Sequence, residues 1–409
     1  MSPAAARPLL GRVGLVLAHP WARISTPPLM TAQFLASRGY AVDVFVDQNA
    51  DMEALGINLP EMPCAGVALR VCPQAGGEAP PAVLDDGTVL PKEHWRFVQR
   101  YGAEQCRYDW LIGFDPGGLI RAAALARRWG VPYVYHSLEI DAADHPGKPL
   151  ERRLNAGALF SLTQDSLRAN LLARLNGLDP ASVHVSTNSS IGPVLPGRKR
   201  WFHERFPIGD RRVVLAIGTL LPFAGIRGFI ETFADWPKEY ALVLHGWLPD
   251  PEFRSYVLGA VRGHDGIFLS SDIVGLDQKF ELFQSADVGL VFFEPRDVNL
   301  ANAGASAGKF YDFMRCGVPC IGNDIPGMRE LLEGCGLGVA ISGYAQLPQA
   351  LTEVSARRAD LRARCLELFP SFEFSGVYEP ILAMTERLAL RAGASPGQES
   401  PVSGACARA

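Results

Sequence analysis

The chain lacks a charge bias. Its 39 Lys and Arg set against 43 Asp and Glu leave a net charge of −4 and a pI near 6.1. That balance excludes whole-surface attraction to nucleic acid or acidic membranes, so any anion it binds is bound locally. Its eight cysteines, at 64, 72, 106, 316, 320, 335, 365 and 406, have no CxxC spacing and no neighbouring His cluster. A zinc site and a disulfide framework are therefore not indicated, and the chain reads as cytosolic with reduced thiols. Long hydrophobic runs are missing as well. The first apolar run, "VGLVLA" after Arg12, is too short for a signal-peptide core or a membrane span and reads as a buried strand. No Gly-x4-Gly-Lys-Ser/Thr phosphate loop occurs, since "AGASAGKF" has neither the upstream Gly nor the hydroxyl after Lys. The basic clusters Arg127/Arg128, Arg152/Arg153, Arg198–Arg200 and Arg211/Arg212 carry no interleaved aromatics, so nucleic acid is not an expected partner. They read as solvated helix ends and linker charges, with peripheral contact to anionic lipid at an inner membrane face as the alternative.

What is present is apolar and periodic. At 409 residues and 48% hydrophobic content the chain is long enough for two or three cores. Short apolar runs alternate with helix-like segments: "VGLVLA", a helix near residues 28–38 stopped by Gly39, then "AVDVFV". This is a βαβ pattern and implies a parallel sheet. Further strands are "DWLIGF", "VPYVYH", "ALFSLT" and "VHVST", separated by the helices "GLIRAAALARRWG" and "DSLRANLLARLNG", each ending in an Arg-containing turn and a Gly. Residues 73–88 are rich in Pro and Gly and read as a mobile surface loop. The stretch 192–212 has turn residues and charge without periodicity and is taken as the domain linker. The pattern then restarts with "VVLAIG", "ALVLHG", "GIFLSS", "VGLVFF" and "PCIGN", and helices near 226–234, 253–262, 279–285, 306–316 and 328–333. The sequence therefore predicts an α/β protein of two doubly wound halves, residues 1–195 and 196–373, facing each other across a cleft. A final amphipathic helix is expected over 374–391, and 392–409 reads as a disordered tail.

Two groups of residues carry candidate chemistry. In "GKFYDFMRCGVPCIGNDIPGMRELL", Lys309 and Asp312 project from one face of a helix that starts directly after the small-residue run "ANAGASAG", a favourable place for an anion. Polar residues also end strands on the expected cleft side: His19, Asp115, His136 and His245. His136 stands out because Glu139 follows it in "YHSLEI", putting a titratable base beside a carboxylate, and it is the catalytic candidate.

These residues carry a resemblance. The blocks "SADVGL", "SAGKFYDFMRCGVPCIGN" and "PGMRELL", with "VVLAIGTL" and "YALVLHGW" before them, resemble the nucleotide-sugar domain of family 4 (group 1) retaining GT-B glycosyltransferases. A weaker match in "LMTAQFLASRGYAVDVFV", "YDWLIGFDPGGLIRAAALARRWGVPYVYHSLE" and "SLTQDSLRANLL" extends the likeness over most of residues 12–345. The resemblance implies two Rossmann-like domains, the first for the acceptor and the second for the donor, with the last helix packed back on the first. It implies transfer of a hexosyl group from a nucleotide sugar to an acceptor glycan or glycoconjugate, with retention of configuration and no required metal. Lys309 would neighbour the donor diphosphate and Asp312 would receive the ribose hydroxyls. Gly218, Thr219, Arg227, His245, Ser306 and Gly308 complete the expected donor site.

The departures from the family pattern are as informative. In place of Glu-x7-Glu stand Gly304 and Asp312. Thr219 and Ala224-Gly225 occupy the places of an Arg and a Lys-Gly pair, and "HPWARISTPPL" replaces a Gly-Gly turn after the first strand. Arg227, Arg296 and Lys309 are the candidates to supply the missing positive charge. The alternatives to a transferase are a catalytically degenerate nucleotide-sugar-binding subunit and, more remotely, a nucleotide-sugar epimerase of the same fold.

Overall fold

The computed structural model describes residues 9–19, 26–48, 64–73, 79–272, 274–275 and 278–393. The first sheet consists of β1 (Gly11–Val16), β2 (Tyr40–Asp47), β3 (Val67–Cys72), β4 (Trp110–Phe114), β5 (Tyr133–His136), β6 (Ser161–Thr163) and β7 (Val183–Val185). Its order is 3-2-1-4-5-6-7 and every pairing is parallel. The crossovers carry α1 (Thr26–Ser37), α2 (Lys92–Gly102), α3 (Asp115–Trp129), α4 (Lys148–Asn155) and α5 (Ser166–Asn176). The apolar runs become these strands because both faces are covered: Val13, Leu15, Leu111, Phe114 and Tyr135 have no accessible surface. The glycines that close α3 and α5 are left-handed C-caps, with φ of 69° at Gly130 and 67° at Gly177.

The second sheet holds β8 (Arg212–Thr219), β9 (Tyr240–Trp247), β10 (Ile267–Ser270), β11 (Val288–Val291), β12 (Cys320–Asn323) and β13 (Gly338–Ile341), in the order 10-9-8-11-12-13. Its helices are α6 (Ile226–Thr232), α7 (Pro251–Gly263), α8 (Lys279–Gln284), α9 (Val298–Ala301), α10 (Gly308–Arg315), α11 (Leu347–Ala356) and α12 (Arg358–Leu368). Both sheets reverse their order at one point, between β1 and β4 and between β8 and β11. Loops leaving the strand ends there diverge and leave a crevice.

The last helix, α13 (Phe374–Gly393), returns to the first domain and runs two residues past the expected end. Phe374, Tyr378, Ile381 and Leu382 join the core around Phe34 and Leu35, and Tyr40 donates to Glu386 at 2.6 Å. Residues 394–409, the rest of the expected tail, lie outside the described residues.

Several elements went unread in the sequence. The edge strand β3 is only partly buried, so its apolar signal is weak. Helix α4 reads as polar, yet its Lys148 and Glu151 are fully buried, 2.9 Å apart. Within residues 73–88, read as a loop, the described part forms a tight turn: Gly87 donates to Leu84, Leu84 to Thr88, and Val83 bridges Val89. The helix expected at 328–333 is a single wide turn over Glu330–Gly334. Among the described residues no helix is long and apolar enough to cross a membrane, and all seven described cysteines are free.

Candidate functional site

The two crevices face each other and enclose a cleft with two connected compartments. One, of about 700 Å³, is lined by His19, Asp115, Glu139, Arg168 and Asn299, among others. The second, of about 560 Å³, lies wholly against the second sheet apart from Thr26, and its wall is mostly apolar, with Trp247, Leu248, Leu269 and Phe283. Thr26, Ile217, Gly218, Thr219 and Lys309 line both and form the passage between them. Glycine is required at the mouth of β8 and β9. Gly218 has φ 122° and Gly246 φ 142°, and a Cβ on Gly246 would sit 1.8 Å from the Gly218 carbonyl oxygen.

Lys309 stands at that passage, in the first turn of α10. Its N-cap is Ala307, which has no side chain to accept from the first-turn N–H groups. Lys309 Nζ lies 4.9 Å from the Phe293 ring centre, and among the described residues no carboxylate pairs with it. Burial pushes its pKa down to about 8. An enclosed cation beside a bare helix N-terminus is an unfilled demand for an anion. Asp312, one turn on, is 4% exposed and lines the apolar compartment, but its Oδ2 is 2.6 Å from Lys279 Nζ.

The remaining expected donor residues divide. Gly218, Thr219, Ser306, Gly308 and His245 all line the cleft. His245 is 5% exposed, its Nδ1 is 2.8 Å from Ser270 Oγ, and burial holds its pKa down at about 4, so the ring is neutral. Ser306 spends its hydroxyl on the Ala303 carbonyl. Arg227 is not brought to the cleft: from α6 it lies over the Tyr256 ring of α7, 3.8 Å from Glu231, with half its side chain in solvent. Arg296 likewise pairs with Glu294 on the surface. Of the three candidates for the missing positive charge Lys309 alone lines the cleft, where Lys279 and Arg254 also line the apolar compartment and Arg168 the larger one. The place where the family has its first Glu cannot hold a side chain here. A Cβ on Gly304 would lie 2.3 Å from the Pro326 carbonyl and 2.4 Å from the Met328 nitrogen.

The opposite wall is built on Asp115, the only non-glycine with positive φ among the described residues, at 58°. It follows β4 and opens α3 at the point of strand reversal, and this uncommon backbone turns its carboxylate so that Oδ1 accepts from the N–H of both Leu138 and Glu139 at 2.8 Å. His19 Nε2 is 3.8 Å from its other oxygen. Glu139 opens into the cleft with 69% of its side-chain surface accessible. Enclosure between the domains, then Asp115 and Asp297, raise its pKa to about 7 against the pull of Arg168. Water in the open cleft moderates that shift, and a bound ligand that displaces the water would enforce it.

His136 is not at the surface of this wall. It is fully buried beneath Asp115, its ring 5.0 Å from that of Phe114, with neither ring nitrogen hydrogen-bonded, and burial holds its pKa at about 4. The residues that do reach the cleft here, Asp115 and Glu139, adjoin it in sequence or in the sheet. Asp115 was legible as a polar residue ending a strand on the cleft side; nothing in the sequence marks Lys279.

The domains are clasped across the larger compartment. Asn299 on α9 accepts from the Ile140 N–H at 2.8 Å and donates to the Ile140 carbonyl at 3.2 Å, while Arg168 donates to Asn299 Oδ1 at 2.9 Å. Asn188 donates to the Ser306 carbonyl at 3.0 Å. Among the described residues no cluster of three or more His, Cys, Asp or Glu is arranged to hold a metal ion.

Comparison with known proteins bears on this arrangement. Residues 28–189 match the glycosyl transferase 4-like domain. No curated protein sequence matches the chain. Among solved structures, HepE of Anabaena, in complex with UDP and glucose, superposes with a TM-score of 0.70 at 14% identity, over 92% of this chain and 99% of its own. Sucrose-phosphate synthase from Thermosynechococcus elongatus gives 0.69 at 15% identity, over 94% and 100%. WaaG, a glycosyltransferase involved in lipopolysaccharide biosynthesis, gives 0.55 at 14%, over 92% and 98%. The fold is therefore GT-B, and the family match bears out the resemblance to family 4 glycosyltransferases over residues 28–189.

Proposed function

We propose that this chain is a glycosyltransferase that moves a hexosyl group from a nucleotide sugar to an acceptor hydroxyl, with retention of configuration, in glycan or glycoconjugate biosynthesis. The observation that carries the reading is Lys309: an enclosed cation without a carboxylate partner among the described residues, at an uncapped helix N-terminus, in the passage between an apolar and a polar compartment. A nucleotide sugar has the same order of parts. Its base and ribose fit the apolar compartment, its diphosphate the passage, and its sugar the larger compartment. HepE, of the same fold, is solved with UDP-glucose, which supports the assignment.

In this reading the bond between the anomeric carbon and the phosphate oxygen breaks and its electron pair leaves with the nucleoside diphosphate. Lys309 and the first N–H groups of α10 meet the growing negative charge in an enclosed site, where such contacts are strongest. Asp312, held by Lys279, receives the ribose hydroxyls. The acceptor oxygen bonds the same face of the anomeric carbon that the diphosphate leaves, and its proton passes to the departing phosphate. The reading assigns the diphosphate charge to protein groups and requires no metal. The acceptor approaches from the first domain, whose basic helix ends suit peripheral contact with an anionic surface on the cytoplasmic side.

Calorimetry with uridine, UMP and UDP, and with the guanosine series, tests this assignment. In the series whose base fits, affinity should rise by about tenfold or more from nucleoside to diphosphate, the scale of a charge-assisted contact. Diphosphates that bind no better than nucleosides in both series would remove the phosphate from Lys309.

A further inference from the structure

The two walls of the larger compartment carry opposite charge. Lys309 stands on the second-domain wall, at the passage to the nucleotide end, while Asp115 and Glu139 stand on the first-domain wall. We infer that the sugar end of this cleft is built for an uncharged, hydroxyl-bearing sugar and disfavours one carrying a carboxylate, with Glu139 as the residue that sets the choice; the inference rests on the donor reading above.

The backbone around Glu139 is fixed from both sides. Its own N–H and that of Leu138 are held by Asp115, and the next residue, Ile140, is held through both its N–H and its carbonyl by Asn299 of the opposite domain. The side chain itself is largely accessible in the cleft, its nearest charge partner being Arg168 at 3.9 Å. An anchored backbone carrying a carboxylate that opens into the cavity is suited to accept hydrogen bonds from ligand hydroxyls.

Arg168, the one arginine or lysine on this wall among the described residues, does not compensate for a negatively charged ligand. Arg168 is only 3% exposed, and its guanidinium already donates to the Asn299 side chain, the Asn299 carbonyl and the Leu138 carbonyl. It makes the local potential less negative from behind the wall but offers a ligand carboxylate no paired donors. Such a ligand would meet Glu139 and Asp115, with Asp297 close behind at the N-cap of α9. Enclosure raises the pKa of Glu139 toward 7, and those same two acids add to the rise against the pull of Arg168, so the wall already disfavours added negative charge.

The test compares sugar pairs that differ only at one carbon: UDP-glucose with UDP-glucuronate, and GDP-mannose with GDP-mannuronate. Each pair is referenced to UDP or GDP and titrated by calorimetry near neutral pH into the parent protein and Glu139→Gln. In the pair whose nucleotide binds, the hexuronate should bind at least about tenfold more weakly than the hexose, and Glu139→Gln should narrow that ratio by about threefold or more. Equal affinity for hexose and hexuronate, or a ratio that Glu139→Gln leaves unchanged, overturns the inference while leaving the donor reading intact. Failure of both UDP and GDP to bind overturns the donor reading, and this inference with it.

Discussion

Lys279 Nζ and Asp312 Oδ2 are 2.6 Å apart, so the carboxylate that α10 presents to the cleft arrives already paired. Asp312 is nearly buried while Lys279 keeps about a quarter of its surface, which makes the lysine the partner that can follow a ligand. A short acid on this helix reaches the cleft with its charge offset by α8, an element with no counterpart in the sequence signs of a donor site.

Removing Lys279 should therefore cost more than a surface ion pair. Lys279→Ala is expected to lower stability by about 1 to 3 kcal/mol, below the 3–5 typical of a fully buried pair because the lysine is partly solvated. Asp312→Ala should raise the donor KM with little change in kcat, and urea denaturation of both single variants and the double should give a coupling above about 0.5 kcal/mol. Strict additivity of the two substitutions would show that the pair is not a unit.

Lys309→Ala should weaken binding of the nucleoside diphosphate by about 1.5 to 3 kcal/mol, the range for hydrogen bonds to charged groups. The fold should be unharmed, because the substitution removes an enclosed cation that has no carboxylate partner among the described residues. Unchanged affinity by calorimetry would return Lys309 to the ordinary surface charges.

The same lysine sets a pH dependence. Its pKa is depressed by burial from the ordinary 10.5 to about 8. Between those values the unfolded chain holds more protons than the folded one, so this group's contribution to stability rises with pH across that window. Diphosphate binding goes the other way, because the anion prefers the charged amine: affinity should fall as pH rises through about 8, and the profile should flatten in Lys309→Arg. Affinity independent of pH between 7 and 9 would contradict the assignment.

The history of His136 shows what a sequence can and cannot carry. Its place at the end of an apolar strand was legible, as were the two parallel sheets, because buried strands and capped helices leave periodic signs. Which way a strand-end side chain points depends on the backbone beyond it, and the left-handed turn at Asp115 brings Asp115 and Glu139 to the surface above the buried ring. Arg227 failed for a similar reason: helical spacing set it toward Glu231 rather than the cleft. Lys279 and Asn299 were invisible because their roles arise only from contacts distant in sequence.

His136→Leu should keep turnover within a few-fold and raise stability by about 1 kcal/mol, since both buried ring nitrogens lack hydrogen bonds. A loss of about a hundredfold in turnover at unchanged melting temperature would mean that the ring reaches the substrate in another state of the domains.

The Asn299 clasp should govern closure. Asn299→Ala removes both bonds to the Ile140 backbone and the one from Arg168 to its side chain. The expected result is a larger radius of gyration in solution scattering and a lower kcat, with nucleotide affinity changed less, since the apolar compartment lies almost wholly in one domain. Identical scattering and kcat would make the clasp incidental.

The central claim, that Lys309 and the cleft serve transfer from a nucleotide sugar, is tested most directly by following the anomeric proton of UDP- and GDP-sugars by NMR with the parent protein and with Lys309→Ala. The expected result is loss of one donor's anomeric signal, appearance of a transfer product or free sugar with the donor's own configuration, and a strongly reduced rate in the variant. A donor that binds but persists without change would contradict transfer and favour a nucleotide-sugar-binding subunit, and an isomerised nucleotide sugar would make the protein an epimerase.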